Sequence, residues 1–469
     1  MSLYKIYFLN SVCFLLISSS IYAQLNKQID KLIEDLPGST IASIFIFDPT
    51  NNDTIYAKDI NKLIIPASNI KLLTTATALS ILGKNYKLTT NLLTNDANIE
   101  DGVVNGNLYL KGFGNPTFSS EDLDEFINTL RSLGIKEVRG NIIADDSYFD
   151  TNFSHGTVYI NGQTSLSVPP VSALSFERNT IFLSLISGEK DGEKLDYTYT
   201  PSYPFITMDM NARVTKFKSN PRVSYRFDGN RINIRVLGGM YAKLNRINYL
   251  LYIENPSLYC ALVLDEKLKK AGIITASEPN SGRTPINAEM IDEAAVTVAD
   301  LIYEINKNSD NFYAESLFKT IGAEYSNEVG NSFYASQAII KFIKERNISD
   351  DPVNISDGSG ISRSNSLTAN LIVNLLSYIY KDKNLFTDYH NSLSIAGIDG
   401  TLQDRMTGTS AQNNFHGKTG TIYGISTISG YLNTSDDRTL VLSILMSFSE
   451  YGNYYHQSVQ DKIIELLCK

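Results

Sequence analysis

Ser68 and Lys71 stand three residues apart in PASNIKLLTTATAL (66–79), a stretch otherwise apolar enough to be a buried helix. Positions i and i+3 of a helix share a face, and Pro66 suits a helix start. A serine at a helix N-terminus can attack a carbonyl while its own backbone N–H holds the developing oxyanion. A lysine among Ile70, Leu72, Leu73, Ala76, Ala78 and Leu79 is costly as an ammonium unless it is paired. Desolvation there can lower its proton affinity and make it the base for the serine. The alternative is a lysine whose stem carries its charge out to water. Spacing alone decides little, because Ser2/Lys5, Ser187/Lys190 and Ser316/Lys319 share it.

Two further elements follow in order. NSDNFYAE contains Ser309, Asp310 and Asn311, and no other serine-any-asparagine occurs in the chain. HGKTGT contains Lys418, Thr419 and Gly420, the single lysine-threonine-glycine, ahead of a strand-like run. Glycines there let a backbone approach a ligand closely. Taken singly, Asn311 reads as a helix-capping residue and Lys418 as a solvated strand end. As an ordered triple they match the signature set of β-lactamases and penicillin-binding proteins.

These residues need a frame to position them. STIASIFIFDPTNNDTIYAKD reads as two strands about the turn 48–53. Near the other end, the segment from His416 reads as strand, turn at Asn433–Asp437, strand, and YHQSVQDKIIELLCK as a closing helix. The two ends together predict one antiparallel sheet flanked by helices, an α+β domain, which the ordered triple makes similar to the β-lactamase/transpeptidase kind. Residues 86 to about 280 are rich in strand-like runs such as GNLYLKGFGNPTF and NRINIRVLGGM, broken by one helix in SEDLDEFINTLRSLGI. They read as a large β-rich insertion. From about 290 the pattern is helical again.

Composition narrows the class. Forty-one basic against 50 acidic residues give a formal charge of −9, which disfavours a nucleic-acid partner. The first 23 residues have a lysine, an apolar run and a small-residue end at Ala23, the pattern of a cleaved export signal; a transmembrane anchor is the alternative. No later stretch is long and apolar enough to span a membrane. Cys13 goes with the signal, and Cys260 and Cys468 are expected as two buried thiols. His155, His390, His416 and His456 show no metal-ligand spacing, so no metal and no cofactor are expected, and a Ser-His-Asp triad has little support.

PASNIKLLTTATAL, SDNFYAESL, DGSGISRSN and HGKTGT resemble the signatures of the DacB-like D-alanyl-D-alanine carboxypeptidase/endopeptidases, the penicillin-binding protein 4 type. GIKEVRGNIIADDSYFD, PPVSALSFERN and NPSLYCALVLDEKLKKAGI are also similar to that family. Asn115, where the family usually has aspartate, and Ile361, where leucine is common, are small departures. The resemblance implies a penicillin-binding domain at 24–85 and 285–469, an inserted domain at 86–165 and 264–284, and a second inserted β-rich domain at 166–263, the two leaning over the cleft. It implies an exported, periplasmic enzyme that hydrolyses peptidoglycan peptides and is acylated by β-lactams. The long stretch between Ser68 and Ser309 does not fit a compact class A β-lactamase.

The implied roles are these. Ser68 is the nucleophile and Lys71 its base. Ser309 relays a proton to the leaving amine, and Asn311 holds Lys71 and the substrate amide. Lys418 supplies positive charge, keeps Lys71 neutral and draws the terminal carboxylate. Thr419, Gly420 and Thr421 bind that carboxylate, and the N–H groups of Ser68 and Thr421 form the oxyanion hole. Asp145 or Asp146 meets the ammonium of a diaminopimelate side chain, or is a surface turn. Ile422 and Tyr423 line the same pocket. The turn Asp357–Gly360, with Ser362 and Arg363, borders the cleft or is purely structural. A β-lactamase with the same chemistry and a non-catalytic muropeptide-binding scaffold are the competing readings. Homodimerisation and further protein partners are left open.

Overall fold

The computed structural model describes residues 24–152, 158–160 and 168–468. The expected signal segment, 1–23, lies outside the described residues. The described residues form two compact units: those of 24–85 with 298–314 and 336–468, and those of 86–297 with 315–335.

The first unit is built on a six-stranded sheet in the order Ser394–Ile395, Phe415–Ile422, Ile425–Asn433, Thr439–Ser447, Ile41–Asp48 and Asp53–Lys58. Every neighbouring pair is antiparallel. The three inner strands from Ile425 to Asp48 are almost wholly buried, so they carry Ile, Leu and Val on both faces. The terminal helix Asn453–Leu467 covers one face, with Val459, Ile463 and Ile464 in a core shared with Ile44, Ile428 and Leu442. Helix Ala369–Lys381 packs on the strands at 41–48 and 439–447, and Tyr431 Oη donates to the Leu376 carbonyl at 2.9 Å. Thr368 caps that helix through the Leu371 N–H.

The segment after His416 holds three strands, where sequence reading gives two. Residues 415–422 turn back at Tyr423–Gly424, with Ile422 opposite Ile425. Gly424 takes a φ of +74° there, which a side chain would resist. A single glycine between apolar runs is a weak turn signal, so the hairpin passes for one long strand.

The second unit holds four sheets. Its five-stranded sheet runs Asn280–Ser281, Ile142–Asp145, Leu108–Gly112, Lys87–Thr94 and Glu289–Thr297. The last of these pairs antiparallel with 87–94. The first unit takes up the chain again at Val298. A four-stranded sheet and two three-stranded sheets complete the unit, with helices Ser120–Ser132 and Pro256–Lys270. The first helix is capped by Ser119, one residue ahead of the expected stretch, in a reciprocal capping box with Asp122. Cys260 and Cys468 are buried free thiols. No helix among the described residues is long and apolar enough to cross a membrane.

Candidate active site

Ala67–Asn69 form one 3-10 turn that runs into the helix Ile70–Ile81. Ala67 holds a φ of +46°, a left-handed conformation that costs a non-glycine residue about 1–2 kcal/mol. Packing enforces it. A Cβ on Gly360 would lie 2.0 Å from the Ala67 carbonyl oxygen and 2.9 Å from the Ser68 nitrogen. A Cβ on Gly420 would also lie 2.9 Å from the Ser68 nitrogen. The glycines of DGSG and KTG are thus the places where two backbones press against Ser68. Asn69 Nδ2 donates to Thr427 Oγ1 at 2.7 Å and to the Lys418 carbonyl at 3.3 Å. Thr427 Oγ1 in turn donates to the Pro66 carbonyl at 2.8 Å. The serine turn is therefore fastened to the sheet on the KTG side.

Lys71 is fully buried, so its charge does not reach solvent. Its Nζ donates to Ser68 Oγ at 3.0 Å, to Asn311 Oδ1 at 2.7 Å and to the Ser359 carbonyl. Asn311 is the first residue of helix Asn311–Ser326, and Ser309, just ahead of it, is half-buried with a φ of +59°. The Ser359 carbonyl is aimed by its own turn. Asp357 accepts from the Gly360 and Ser362 N–H groups at 2.7 and 2.6 Å, and from Asn365 Nδ2 at 2.7 Å. Thr74 Oγ1 donates to the Gly358 carbonyl at 3.0 Å. The DGSG turn is thus a structural turn that also hands Lys71 an acceptor.

Lys418 is fully buried as well, and its Nζ donates to the Thr419 carbonyl at 3.1 Å. Burial first, and the Lys71 ammonium second, hold Lys418 well below the ordinary lysine range. Thr419 Oγ1 donates to Thr401 Oγ1 at 2.8 Å. Thr421 is exposed and accepts from Gln457 Nε2 at 3.3 Å. Ile422 packs with Ala67 and Ile425 in a small apolar cluster. Tyr423 is 88% exposed, and its carbonyl accepts from Arg363 Nη1 at 2.9 Å. A buried amine bonded to a serine hydroxyl can take its proton.

Asp145 and Asp146, in the second unit, differ from each other. Asp145 is 1% exposed and accepts from the N–H groups of Ser147 at 3.1 Å and Thr284 at 2.7 Å. Burial pushes its carboxyl up, but those hydrogen bonds outweigh it and leave it below the usual range. It holds its strand end in place, and Lys111 Nζ stands 3.9 Å from its Oδ2. Asp146 is half-buried and accepts from Ser172 Oγ at 3.2 Å. Sequence reading misses Asn69, Thr427 and the Ser359 carbonyl. Asn69, a polar residue opening an apolar helix, is the one signal that was available.

The sequence pattern of the D-Ala-D-Ala carboxypeptidase 3 (S13) family matches residues 25–468. The chain belongs to that family. It is thereby a serine peptidase of the D-alanyl-D-alanine carboxypeptidase type. A D-alanyl-D-alanine carboxypeptidase of Actinomadura sp. (strain R39) is 28% identical over 445 residues, covering 87% of this chain and 78% of the relative. The carboxypeptidase DacB of Haemophilus influenzae is 24% identical over 446 residues, covering 92% and 91%. The crystal structure of penicillin binding protein 4 (dacB) from H. influenzae superimposes with a TM-score of 0.83 at 21% identity, over 94% of this chain and 99% of that one. That likeness bears on the fold, which is the mixed α+β, transpeptidase-like fold expected.

Proposed function

We propose that this S13 chain hydrolyses the terminal D-alanyl-D-alanine bond, or the equivalent cross-link, of peptidoglycan stem peptides through an acyl-enzyme on Ser68. One observation carries the reading: the buried Lys71 amine is bonded at once to Ser68 Oγ, Asn311 Oδ1 and the Ser359 carbonyl.

Ser68 Oγ attacks the carbonyl of the penultimate residue, and its proton passes to Lys71. The Ser68 and Thr421 N–H groups hold the oxyanion. The proton goes on to the departing D-alanine amine through Ser309, and water then cleaves the ester. Two lysines buried together titrate as a pair. A substrate carboxylate at Thr419–Thr421 draws the shared proton towards Lys418 and leaves Lys71 the free amine. The same nucleophile opens a β-lactam, whose ring fragment cannot leave. Asp146, with its freer carboxylate, is the better partner for a side-chain ammonium such as that of diaminopimelate. Residues 86–165 with 264–284, and 166–263, would be the two inserted domains, and cleavage of the first 23 residues would deliver the enzyme to the periplasm.

The test supplies a stem pentapeptide ending in D-alanyl-D-alanine and a cross-linked dimer. D-Alanine release from the first, or monomer from the second, is expected from the parent and absent in Ser68→Ala. Equal release by both proteins would overturn the assignment.

A further inference from the structure

Away from the Ser68 cluster, the second unit has a cavity of about 500 Å³ between its two helices, lined by Ser120, Asp124, Asn128, Arg131, Tyr203, Lys267 and Lys270 with apolar Ile127 and Ala271. Three cations and the Asp124 carboxylate line it, and the Glu177 carboxylate stands beside it, accepting from the Ser120 N–H at 3.0 Å, in a chain whose overall charge is −9. Asp124 and Lys267 pair with each other: Lys267 Nζ donates to Asp124 Oδ1 at 2.6 Å and to the Ser120 carbonyl at 3.1 Å, which leaves Arg131 and Lys270 as the cations for a ligand. Arg131 and Lys270 have no carboxylate partner among the described residues. Both are exposed at the mouth.

The opposite wall is an aromatic ring. Tyr203 stacks on Phe205, centroids 5.4 Å apart and planes 3° apart. Phe205 meets the buried Tyr259 edge-on at 6.0 Å. The Tyr203 ring is therefore fixed before any ligand arrives. Lys270 Nζ stands 6.0 Å from its centroid, the reach of a cation–π contact. Burial, then the Glu177 carboxylate, push the Tyr203 hydroxyl up to about 12, so it remains a neutral donor.

We infer that this cavity is a second binding site, for an anionic sugar: a ring that stacks on Tyr203 and carries a carboxylate or phosphate held by Arg131 and Lys270. A guanidinium offers a planar fork to either group, and the ammonium a point charge. A volume of this order suits a ligand of one or two sugar rings. Asn128 offers a neutral donor and acceptor to ring hydroxyls, and the Tyr203 and Ser120 hydroxyls, bonded to each other, can share theirs. The inference rests on the reading that the chain works on the bacterial wall. The site would then hold a glycan while the Ser68 centre cuts a peptide.

The test is calorimetric titration of the full chain with three probes. These are N-acetylmuramic acid, which carries a carboxylate, N-acetylglucosamine 6-phosphate, and neutral N-acetylglucosamine. At least one charged sugar is expected to bind roughly tenfold or more tightly than the neutral one, and binding should weaken with added salt. Which of the two binds better separates a carboxylated from a phosphorylated source. Arg131→Gln/Lys270→Gln should lose that preference, and Tyr203→Ala should weaken all three sugars. Melting temperatures check that each variant folds. Release of D-alanine from a soluble pentapeptide should be unchanged in all of them. Failure of every sugar to bind, or equal binding by the parent and the Gln variant, overturns the inference. Inorganic phosphate binding as tightly as the sugar phosphate overturns its sugar part. Either result leaves pentapeptide hydrolysis, the test of the proposed function, standing.

Discussion

The same three-residue spacing occurs at Ser68/Lys71 in the first unit and at Ser316/Lys319 in the second, and both lysines are buried. Their surroundings separate them. Lys71 is bonded to a hydroxyl, an amide oxygen and a carbonyl, one of them belonging to the serine itself. Lys319 is paired at 2.7 Å with the Asp150 carboxylate and lies over the Phe149 ring. Ser316 turns away and donates to the Gly114 carbonyl at 2.6 Å. A carboxylate fixes its partner as an ammonium, whereas neutral acceptors leave an amine able to exchange its proton. Spacing places the two groups on one helical face, and the partners decide whether they are a nucleophile and base or a strut.

The comparison breaks most visibly at the nucleophile. Ser68→Ala and Lys71→Met should each lower D-alanine release by about 10³–10⁶-fold, since groups that act as a unit fail together. Steady-state rates on a D-alanyl-D-alanine peptide measure this. Lys319→Met should leave the rate of the folded enzyme within a few-fold of the parent.

A second expectation concerns the backbone around Ser68. In Gly420→Ala the new Cβ would meet Thr427 Oγ1 at 2.2 Å and the Ser68 nitrogen at 2.9 Å. Displacing the serine by a fraction of an ångström should cost on the order of 10²-fold in rate. A wild-type rate in that variant would show that the close approach is not needed.

Stability should report the other region. Lys319→Met strands the Asp150 carboxylate and should cost about 1–3 kcal/mol in denaturant unfolding. Acid should find a third place. His390 stacks on His416 of the KTG strand, centroids 4.1 Å apart. Burial, then His416, push His390 down to about 4 from an ordinary value of 6.5. The unfolded chain binds this proton more readily, so the contribution is whole above pH ~6.5 and falls away towards pH ~4, by about 2–3 kcal/mol. His390→Phe should flatten that slope in unfolding measured from pH 7 to 4. Ser316→Ala gives the smallest effect, about 1 kcal/mol of stability and no change in rate.

The sheet of the first unit was legible because both chain ends alternate or run apolar between clear turn residues, and the motifs were legible because Ser309–Asn311 and Lys418–Gly420 are each the single instance of their pattern and follow Ser68/Lys71 in order. What stayed hidden depends on tertiary contact. The hairpin at Tyr423–Gly424 has one glycine to mark it, and the edge strand 289–297 is mixed in polarity and belongs to a distant partner at 87–94. Asp145 and Asp146 look alike in sequence, yet only one is taken up by backbone N–H groups from Ser147 and Thr284. The strain at Ala67 is set by glycines at 360 and 420, far along the chain.

The most direct test is intact mass after penicillin is added to the parent, Ser68→Ala and Ser316→Ala. The account predicts a penicilloyl adduct on the parent and on Ser316→Ala, and none on Ser68→Ala. An adduct that persists on Ser68→Ala, or one lost with Ser316→Ala, would contradict it.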